Sequence, residues 1–358
     1  MRMCLGCEGN MGVKELAERN ERRQREWHTN RAYFLGRNPW LESREPRKEP
    51  DNRIAIPFAK MAVEDMAGYS AMPGYRTVEI DNVRTDGPDM SDGYVQLVRA
   101  SEAKNDSERL TSELYTEALT QGYAYELFWF ADGEVNFARV PSNEIEIVYD
   151  GGLRAQPVEA WRFYDRSGGS PQKAVRFTDA DMTEYRRDGS SWTVGDTMPH
   201  PFGMVPISEY CIGASKLPFF ESEKGLIDAQ DKLISSSVNE VDRFNAVMAL
   251  FPFQVTKDFV DKLRQMNVID DLEQYERWPE YLEKSLQNIE AFYANLADRL
   301  ERLFHKSIKV PDFSDENFVG NSSGVALSYK LLGLEFKAAQ IDTYFDIGTK
   351  RRYELIGR

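Results

Sequence analysis

The sequence predicts an α+β fold in which a central antiparallel meander is flanked by helices. Between residues 123 and 194, short apolar runs alternate with Asp-Gly and Gly-Gly pairs, the pattern of strands joined by tight turns. From residue 221 onward, long stretches carry apolar residues at helical spacing. Because 358 residues exceed what one hydrophobic core usually supports, we expect at least two subdomains.

The N-terminal part of the chain predicts a charged arm followed by two amphipathic helices. Residues 11–27 carry Glu and Arg at helical spacing and predict a short, highly charged helix. A Pro-, Arg- and Glu-rich stretch continues to residue 50, so we expect residues 1–50 to form an exposed arm. Helices follow at residues 56–72 and 107–122, and Gly122 occupies the position of a helix C-cap.

The central region predicts a run of antiparallel strands. Asp132-Gly133 joins the first two strands, because an Asp-Gly pair supplies the positive φ angles of a tight hairpin turn. The predicted strands lie at residues 123–130, 135–140, 144–149, 158–164, 174–178, 182–186 and 192–194. Together they predict one meander.

Three long helices are predicted after the meander, at residues 221–250, 281–304 and 325–355. The first carries polar residues at Ser235, Ser236, Ser237, Asn239 and Asn245. We expect these to face solvent or other polar helices. A small polar loop at residues 311–324 precedes the third helix.

Composition excludes several classes of protein. A net charge of −14 argues against tight binding of duplex phosphates, which requires many cations. No apolar run approaches the roughly 18 residues of a membrane helix. No secretory signal is visible and only three cysteines are present, so we expect free thiols and a cytoplasmic compartment.

Motifs for catalysis or cofactor binding are weak. Cys4-x-x-Cys7 has too few companion ligands for zinc, and the glycines near it follow no strand, so neither a metal nor a cofactor is expected. Asp270, Asp271 and Glu273 could hold a divalent ion, as in nucleases, although such runs are more often solvated surface. We therefore predict no enzyme and keep a metal-dependent nucleic acid enzyme as an alternative.

Four segments, in their order of appearance, resemble the portal proteins of tailed bacteriophages, of the type found in siphophages of Gram-positive hosts. They are Asn52–Phe58 with Pro57, the helix-Gly-hairpin block at 118–141, Val205-Pro206-Ile207 before a long helix, and Asn321-Ser-Ser-Gly-x-Ala-Leu327 before another. The resemblance covers residues 52–355 and lies in their succession rather than in any one motif.

This resemblance implies a domain plan. Residues 1–50 would be the N-terminal arm, 51–219 the wing and 220–250 the first stem helix. Residues 251–282 would be a small clip and 283–309 the second stem helix. Residues 310–324 would be the tunnel loop, and 325–358 the long tunnel helix. Portal proteins usually continue into a helical crown, which we expect to be absent here.

The resemblance also implies a function without catalysis. Roughly a dozen subunits would form a ring at one capsid vertex, through which double-stranded DNA is packaged and ejected, in a virion assembled in the host cytoplasm. Partners would be the terminase large subunit, a head-tail adaptor, and capsid and scaffold proteins, with no membrane. A capsid-associated adaptor without its own channel is a further alternative.

Site residues follow from the same plan. In the tunnel loop and its helix, we expect Asn317, Asn321, Ser322, Ser323, Lys330 and Lys337 to face DNA. In the clip, we expect Asp258, Asp270, Asp271 and Glu273 to face the terminase or the adaptor. An acidic chain with few lysines near its loop suits a channel in which DNA must slide, because every phosphate contact adds binding free energy.

Overall fold

A computed structural model describes residues 12–39, 41, 51–71, 91–153, 155–244, 249–250, 280–281, 286–313 and 324–358. The chain forms two compact units. Unit 1 is drawn from Met1–Pro39, Pro57–Gly225 and Phe304–Arg358, and unit 2 from Trp40–Ile56 and Leu226–Leu303. Helices and antiparallel sheets are both present, which confirms the α+β class.

Seven main helices lie in the described part of the chain. They are α1 (Val13–Phe34), α2 (Phe58–Ser70), α3 (Ser91–Lys104), α4 (Ser107–Gln121), α5 (Lys224–Phe244), α6 (Leu286–Ile308) and α7 (Gly324–Ile356). Six of them match predicted helices, with ends shifted by up to seven residues. The helix predicted over residues 221–250 is wrong at its C-terminal end, because residues 249 and 250 form a strand. The exception is α3, whose apolar residues Tyr94, Val95 and Leu97 are largely exposed and form no regular buried stripe.

The strands of unit 1 form two antiparallel sheets. The strands are β1 (Tyr123–Ala131), β2 (Glu134–Val140), β3 (Ile145–Tyr149), β4 (Pro157–Ser167), β5 (Ser170–Phe177), β6 (Asp181–Asp188), β7 (Ser191–Pro199) and β8 (Ile207–Cys211). One sheet has the order β2-β1-β8, and the other is a meander in the order β3-β4-β5-β6-β7.

The single meander expected from the sequence is therefore two sheets. Asp132 and Gly133 have φ angles of 56° and 81° and join β1 to β2, which confirms the hairpin. A 3-10 turn at Ser142–Glu144 then redirects the chain into the second sheet. The free edge of β1 pairs with β8, a strand that the sequence analysis did not predict.

The N-terminal arm is not exposed over its helical part, and that prediction is wrong for Val13–Phe34. Leu16 and Ala17 of α1 pack on a core cluster with Trp161 and Phe163 of the five-stranded sheet. Arg23 lies 2.9 Å from the buried carboxylate of Glu146. Much of the buried face of α1 is polar, with Asn20, Gln24 and Asn30 among its buried residues. An apolar pattern therefore could not reveal it.

A second core cluster joins the two sheets of unit 1. Tyr125 of β1 and Ile207 of β8 pack with Ile147 of β3 and Ala160 of β4. The close approach between α4 and a later segment requires Gly122, whose φ is 90°, because a Cβ there would lie 2.3 Å from the carbonyl oxygen of Lys216. The predicted C-cap is thus also a packing contact.

Unit 2 contains a short antiparallel pair, β9 (Ala249–Leu250) and β10 (Glu280–Tyr281). Leu250 is paired with Glu280, so these two positions, 30 residues apart in the sequence, lie side by side. The 251–279 segment between them, most of the predicted clip, lies outside the described residues. No helix in the described part of the chain is long and apolar enough to cross a membrane.

Candidate functional site

Only two of the predicted DNA-facing residues, Lys330 and Lys337, lie in the described part of the chain. Both belong to α7, and the side chain of Lys330 is exposed. The ammonium of Lys337 lies 5.8 Å from the centre of the Phe219 ring, and the residue is half-buried. The structure therefore leaves Lys330 the more accessible of the two.

The remaining predicted site residues lie outside the described residues. In the loop before α7 these are Asn317, Asn321, Ser322 and Ser323. In the clip they are Asp258, Asp270, Asp271 and Glu273. Their assignments stay predictions.

The C-terminal third of α7 is fixed to the three-stranded sheet by a buried ion pair. Arg352 donates through Nε and Nη2 to the two carboxylate oxygens of Glu126 on β1, each at 2.9 Å. Tyr210 of β8 donates to the same carboxylate at 2.7 Å. The side chains of Arg352 and Glu126 are 3% and 0% exposed, so the pair is removed from water.

The charge of Arg352 is stabilised by its surroundings. Burial acts to lower the pKa of Arg352, but attraction by the carboxylates of Glu126 and Glu102 and the hydrogen bonds to Glu126 raise it above the usual value. Burial also raises the pKa of Tyr210, so its hydroxyl remains protonated and can donate. We name this arrangement of Arg352, Glu126 and Tyr210 the α7–sheet joint.

Backbone contacts reinforce the α7–sheet joint. Arg351 donates to the carbonyl oxygens of Ile207 at 2.8 Å and Val205 at 2.9 Å. Ser208 donates to the carbonyl of Gly348 at 2.7 Å. A side chain at Gly348 would place its Cβ 2.6 Å from the Tyr210 ring, so only glycine permits this close approach of helix and strand.

A second charge pair, only half-buried, joins Glu209 of β8 to Lys216. Lys216 lies 2.7 Å from both carboxylate oxygens of Glu209, which also accepts hydrogen bonds from Tyr149 and Tyr125. Burial acts to raise the pKa of Glu209, but Lys216 and these hydroxyls hold it below its ordinary value. Burial and the nearby Glu209 raise the pKa of Cys211, so this thiol stays protonated.

Within unit 2, residues 51–56 run as an extended segment bound by polar side chains of α5. The backbone N–H groups of Ile56, Ile54 and Asn52 donate at 2.9, 2.9 and 2.6 Å. Their acceptors are the side chains of Asp231, Ser235 and Asn239 respectively. We name this arrangement the Asn52–Ile56 strap.

The three hydrogen bonds of the strap can form together because the spacing of acceptors along α5 matches the spacing of donors along the extended segment. Acceptors four residues apart on a helix are about 6.0 Å apart, and alternate residues of an extended chain are about 6.6 Å apart. Ser235 and Asn239, expected to face solvent or polar helices, are buried against this segment instead. The Asn52–Phe58 motif thus contributes an extended segment followed by the start of α2.

The contacts described above hold helices in fixed positions. The three histidines lie on different elements: His28 on α1, His200 after β7 and His305 near the end of α6. His305 forms a hydrogen bond with the carbonyl of Val310 at 2.9 Å. What the described contacts achieve is to anchor α7 to one sheet and α5 to one extended segment.

Sequence reasoning missed two fully buried carboxylates, Glu126 and Glu146, and the arginines that pair with them. Glu126 lies within the apolar strand Tyr123–Ala131, and Glu146 lies within Ile145–Tyr149. A carboxylate inside an apolar strand predicts a buried partner, because an unpaired buried charge is costly. That signal could have identified both carboxylates, though not the arginines that pair with them.

Comparison with known proteins gives a consistent result. A family model described as "Phage portal protein, SPP1 Gp6-like" matches residues 13–358. A portal protein of Clostridium phage phiCD119 is 22% identical over 367 residues, covering 93% of this chain and 79% of the relative. A portal protein of Bacillus phage SPP1 is 24% identical over 261 residues, covering 66% of this chain and 51% of the relative.

Among solved structures, a chain in the neck of an empty GTA particle, computed with C6 symmetry, aligns with a TM-score of 0.40 and 12% identity. The alignment covers 90% of this chain and 82% of that one. The family match favours neither the metal-dependent enzyme nor the separate capsid adaptor. With a family model matching from α1 to the last described residue, the chain belongs to the SPP1 Gp6-like family of phage portal proteins.

Proposed function

We propose that this chain is the portal subunit of a tailed phage, acting by assembly rather than by catalysis. Roughly a dozen copies close into a ring by head-to-tail contacts. The ring assembles in the host cytoplasm. In the finished virion it occupies one vertex of the capsid. Double-stranded DNA passes through its channel during packaging and ejection. The family match over residues 13–358 is the observation that carries the proposal.

The described helices are suited to frame a channel. At 21 and 23 residues, α5 and α6 are about 32 and 35 Å long. We assign them to the first and second stem helices and assign the sheets with α2–α4 to the wing. The strap and the α7–sheet joint support this assignment, because both hold long helices in fixed positions by buried contacts.

We assign the 251–282 region to the clip, which meets the terminase large subunit during packaging and the head-tail adaptor afterwards. The pairing of Leu250 with Glu280 supports this assignment, because it places the two ends of the region side by side. In this assignment Asp258, Asp270, Asp271 and Glu273 supply an acidic docking surface. Capsid and scaffold proteins would contact other parts of the ring.

DNA contacts are assigned to the loop before α7 and to Lys330. An exposed lysine adds a salt-dependent contact to phosphate, and a single such contact per subunit limits the resistance to sliding. Lys330→Ala should therefore change DNA retention in packaged particles while leaving ring assembly intact. Lys350→Ala, at another exposed lysine of the same helix, is the matched control. Lost rings with unchanged retention would contradict the assignment.

Native mass spectrometry of the purified full chain tests the proposal directly. The expected result is one closed species of roughly twelve times the chain mass. A compact dimer as the largest species at all protein concentrations would argue strongly against a portal subunit.

A further inference from the structure

The longest helix, α7, is apolar on two opposite sides. Its buried side includes Leu334, Ala338 and Phe345, each no more than 2% exposed. Yet Tyr329 and Phe336 are 71% exposed, and Ile347 is 62% exposed. An amphipathic helix at a protein surface normally presents polar residues on its solvent side. The exposed apolar residues therefore need an explanation.

These three exposed residues form one stripe. They are separated by 7 and 11 residues, which at about 100° per residue places all three within about 20° of one another. The stripe is about 27 Å long at a rise of about 1.5 Å per residue. The buried residues Leu334, Ala338 and Phe345 lie about 140–180° away around the helix. We name Tyr329, Phe336 and Ile347 the α7 stripe.

The area of the α7 stripe fits the centre of a protein–protein interface. Aromatic side chains present roughly 150–250 Å² each, so the exposed fractions leave roughly 300–450 Å² of apolar surface on the three residues. Apolar patches of this size on a single subunit are often functional. A stable interface needs about 800 Å² per partner, so the stripe would supply about half.

The charges beside the stripe favour a protein partner over DNA. Lys330 and Lys337 lie about 80–100° to one side, but Glu335 and Asp346 lie about 100–120° to the other. A polyanion would meet these two carboxylates as well as the lysines. Duplex DNA also keeps its bases stacked and so offers no unstacked base for Tyr329 or Phe336. A surface with an apolar centre and a rim of both signs suits another folded protein.

We propose that the α7 stripe is buried against the neighbouring copy of this chain and is a principal contact that closes the ring. The inference rests on the proposed function, since a closed ring gives every subunit one such heterologous contact. The α7 stripe and Lys330, which we assign to DNA contact, then lie on different sides of one helix. The α7–sheet joint holds the opposite side of that helix within its own subunit.

The test compares ring formation by the full chain and two variants. Phe336→Glu places a charge in the stripe, and Val194→Glu is the control at a residue that is 66% exposed on β7. Phe336→Glu should weaken each contact about tenfold or more and leave monomers with unchanged circular dichroism and melting temperature. Val194→Glu should assemble as the unchanged protein does. Analytical ultracentrifugation measures both.

Three results separate the possible failures. If the unchanged protein and Phe336→Glu both form rings, the stripe assignment is overturned and the portal function stands. If rings form but DNA retention alone changes in Phe336→Glu, the partner is DNA and the assignment is also overturned. If the unchanged protein forms no ring, the proposed function fails together with the inference.

A crosslinking measurement identifies the partner that contacts the α7 stripe without relying on a variant that disrupts the contact. p-Benzoylphenylalanine at position 336 should yield, on irradiation, covalent multimers of this chain. The same group at position 194 should yield monomers. Equal yields of multimers from both positions would contradict a specific contact at the α7 stripe.

Discussion

Replacing Arg352 by Met should destabilise unit 1 strongly, because it leaves the carboxylate of Glu126 buried without its cationic partner. Both side chains are almost completely inaccessible, and Arg352 donates to both oxygens of Glu126. Breaking a buried pair from one side costs about 3–5 kcal/mol. Tyr210 still donates to Glu126, but a single neutral donor does not offset the lost charge.

Urea unfolding measured by tryptophan fluorescence gives the magnitude. At a slope of about 3 kcal/mol per molar urea, the loss lowers the midpoint by roughly 1–1.7 M. The urea midpoint of Arg352→Lys should lie between those of the unchanged protein and Arg352→Met, because lysine keeps the positive charge but cannot form the bidentate hydrogen bonds. Arg109→Ala is the control, because its pairs with Asp106 and Glu113 are exposed, and its midpoint should barely move.

Hydrogen exchange tests whether the loss acts through the α7–sheet joint. In Arg352→Met, amides in the C-terminal third of α7 should exchange faster, whereas amides of β5 and β6 in the other sheet should change less. A midpoint shift no larger than that of Arg109→Ala would refute the reasoning, because it would mean that the pair contributes little once its desolvation is counted.

Three further predictions concern the packing of α7, the second charge pair and the strap. Gly348→Ala should lower the unfolding free energy by about 1–3 kcal/mol, since its Cβ would lie 2.7 Å from a carbonyl oxygen. In Gly333→Ala the new Cβ would make only an ordinary contact at 3.8 Å, so this variant should raise the unfolding free energy by about 0.5–1 kcal/mol. Thermal melts in which Gly348→Ala is more stable than Gly333→Ala would contradict this prediction. Because the folded pKa of Glu209 is lowered, its contribution is present above the ordinary value of 4.5 and is lost as the pH falls through the folded pKa. The stability difference between the unchanged protein and Glu209→Gln should therefore shrink on acidification in urea titrations, and a difference that grows would reverse the assigned sign. Asn239→Ala should speed exchange of the Asn52 amide, and unchanged exchange there would rule out the bond.

Local signals in the sequence predicted the local structure well. Asp132-Gly133 specified its hairpin because the required φ angles are a property of the two residues themselves. The long helix α7 was predicted almost to its ends, since its apolar residues repeat at helical intervals over 33 residues. The sequence of α7 carries apolar residues on two sides of the helix. The sequence alone does not show which of these sides is buried within the subunit.

Features that depend on distant pairing were missed for physical reasons. The pairing of Tyr123 with Cys211 joins strands that are far apart in the chain, and no turn residue marks it. The burial of α1 escaped because its contacts are polar: Gln24 donates to the carbonyl of Asn143 at 2.6 Å, and Asn20 donates to Glu146. Apolar periodicity cannot detect a surface that is buried through hydrogen bonds.

The contacts of the candidate site could not be predicted from the sequence. The Asn52–Phe58 motif was recognised in the sequence, but its structural role was not. That role depends on hydrogen bonds from its backbone N–H groups to side chains of α5, which lie far away in the sequence. Lys330 and Lys337 were treated as equivalent, whereas only Lys337 approaches the Phe219 ring. The assignments in the loop before α7 and in the clip rest on the resemblance alone and stay predictions.

Electron cryomicroscopy of the purified full chain tests the central claim most directly. Images should show particles with rotational symmetry and an axial opening wide enough for duplex DNA, with one α7 helix per subunit at each subunit boundary. Closed globules without an axial opening, observed at every concentration, would contradict the account.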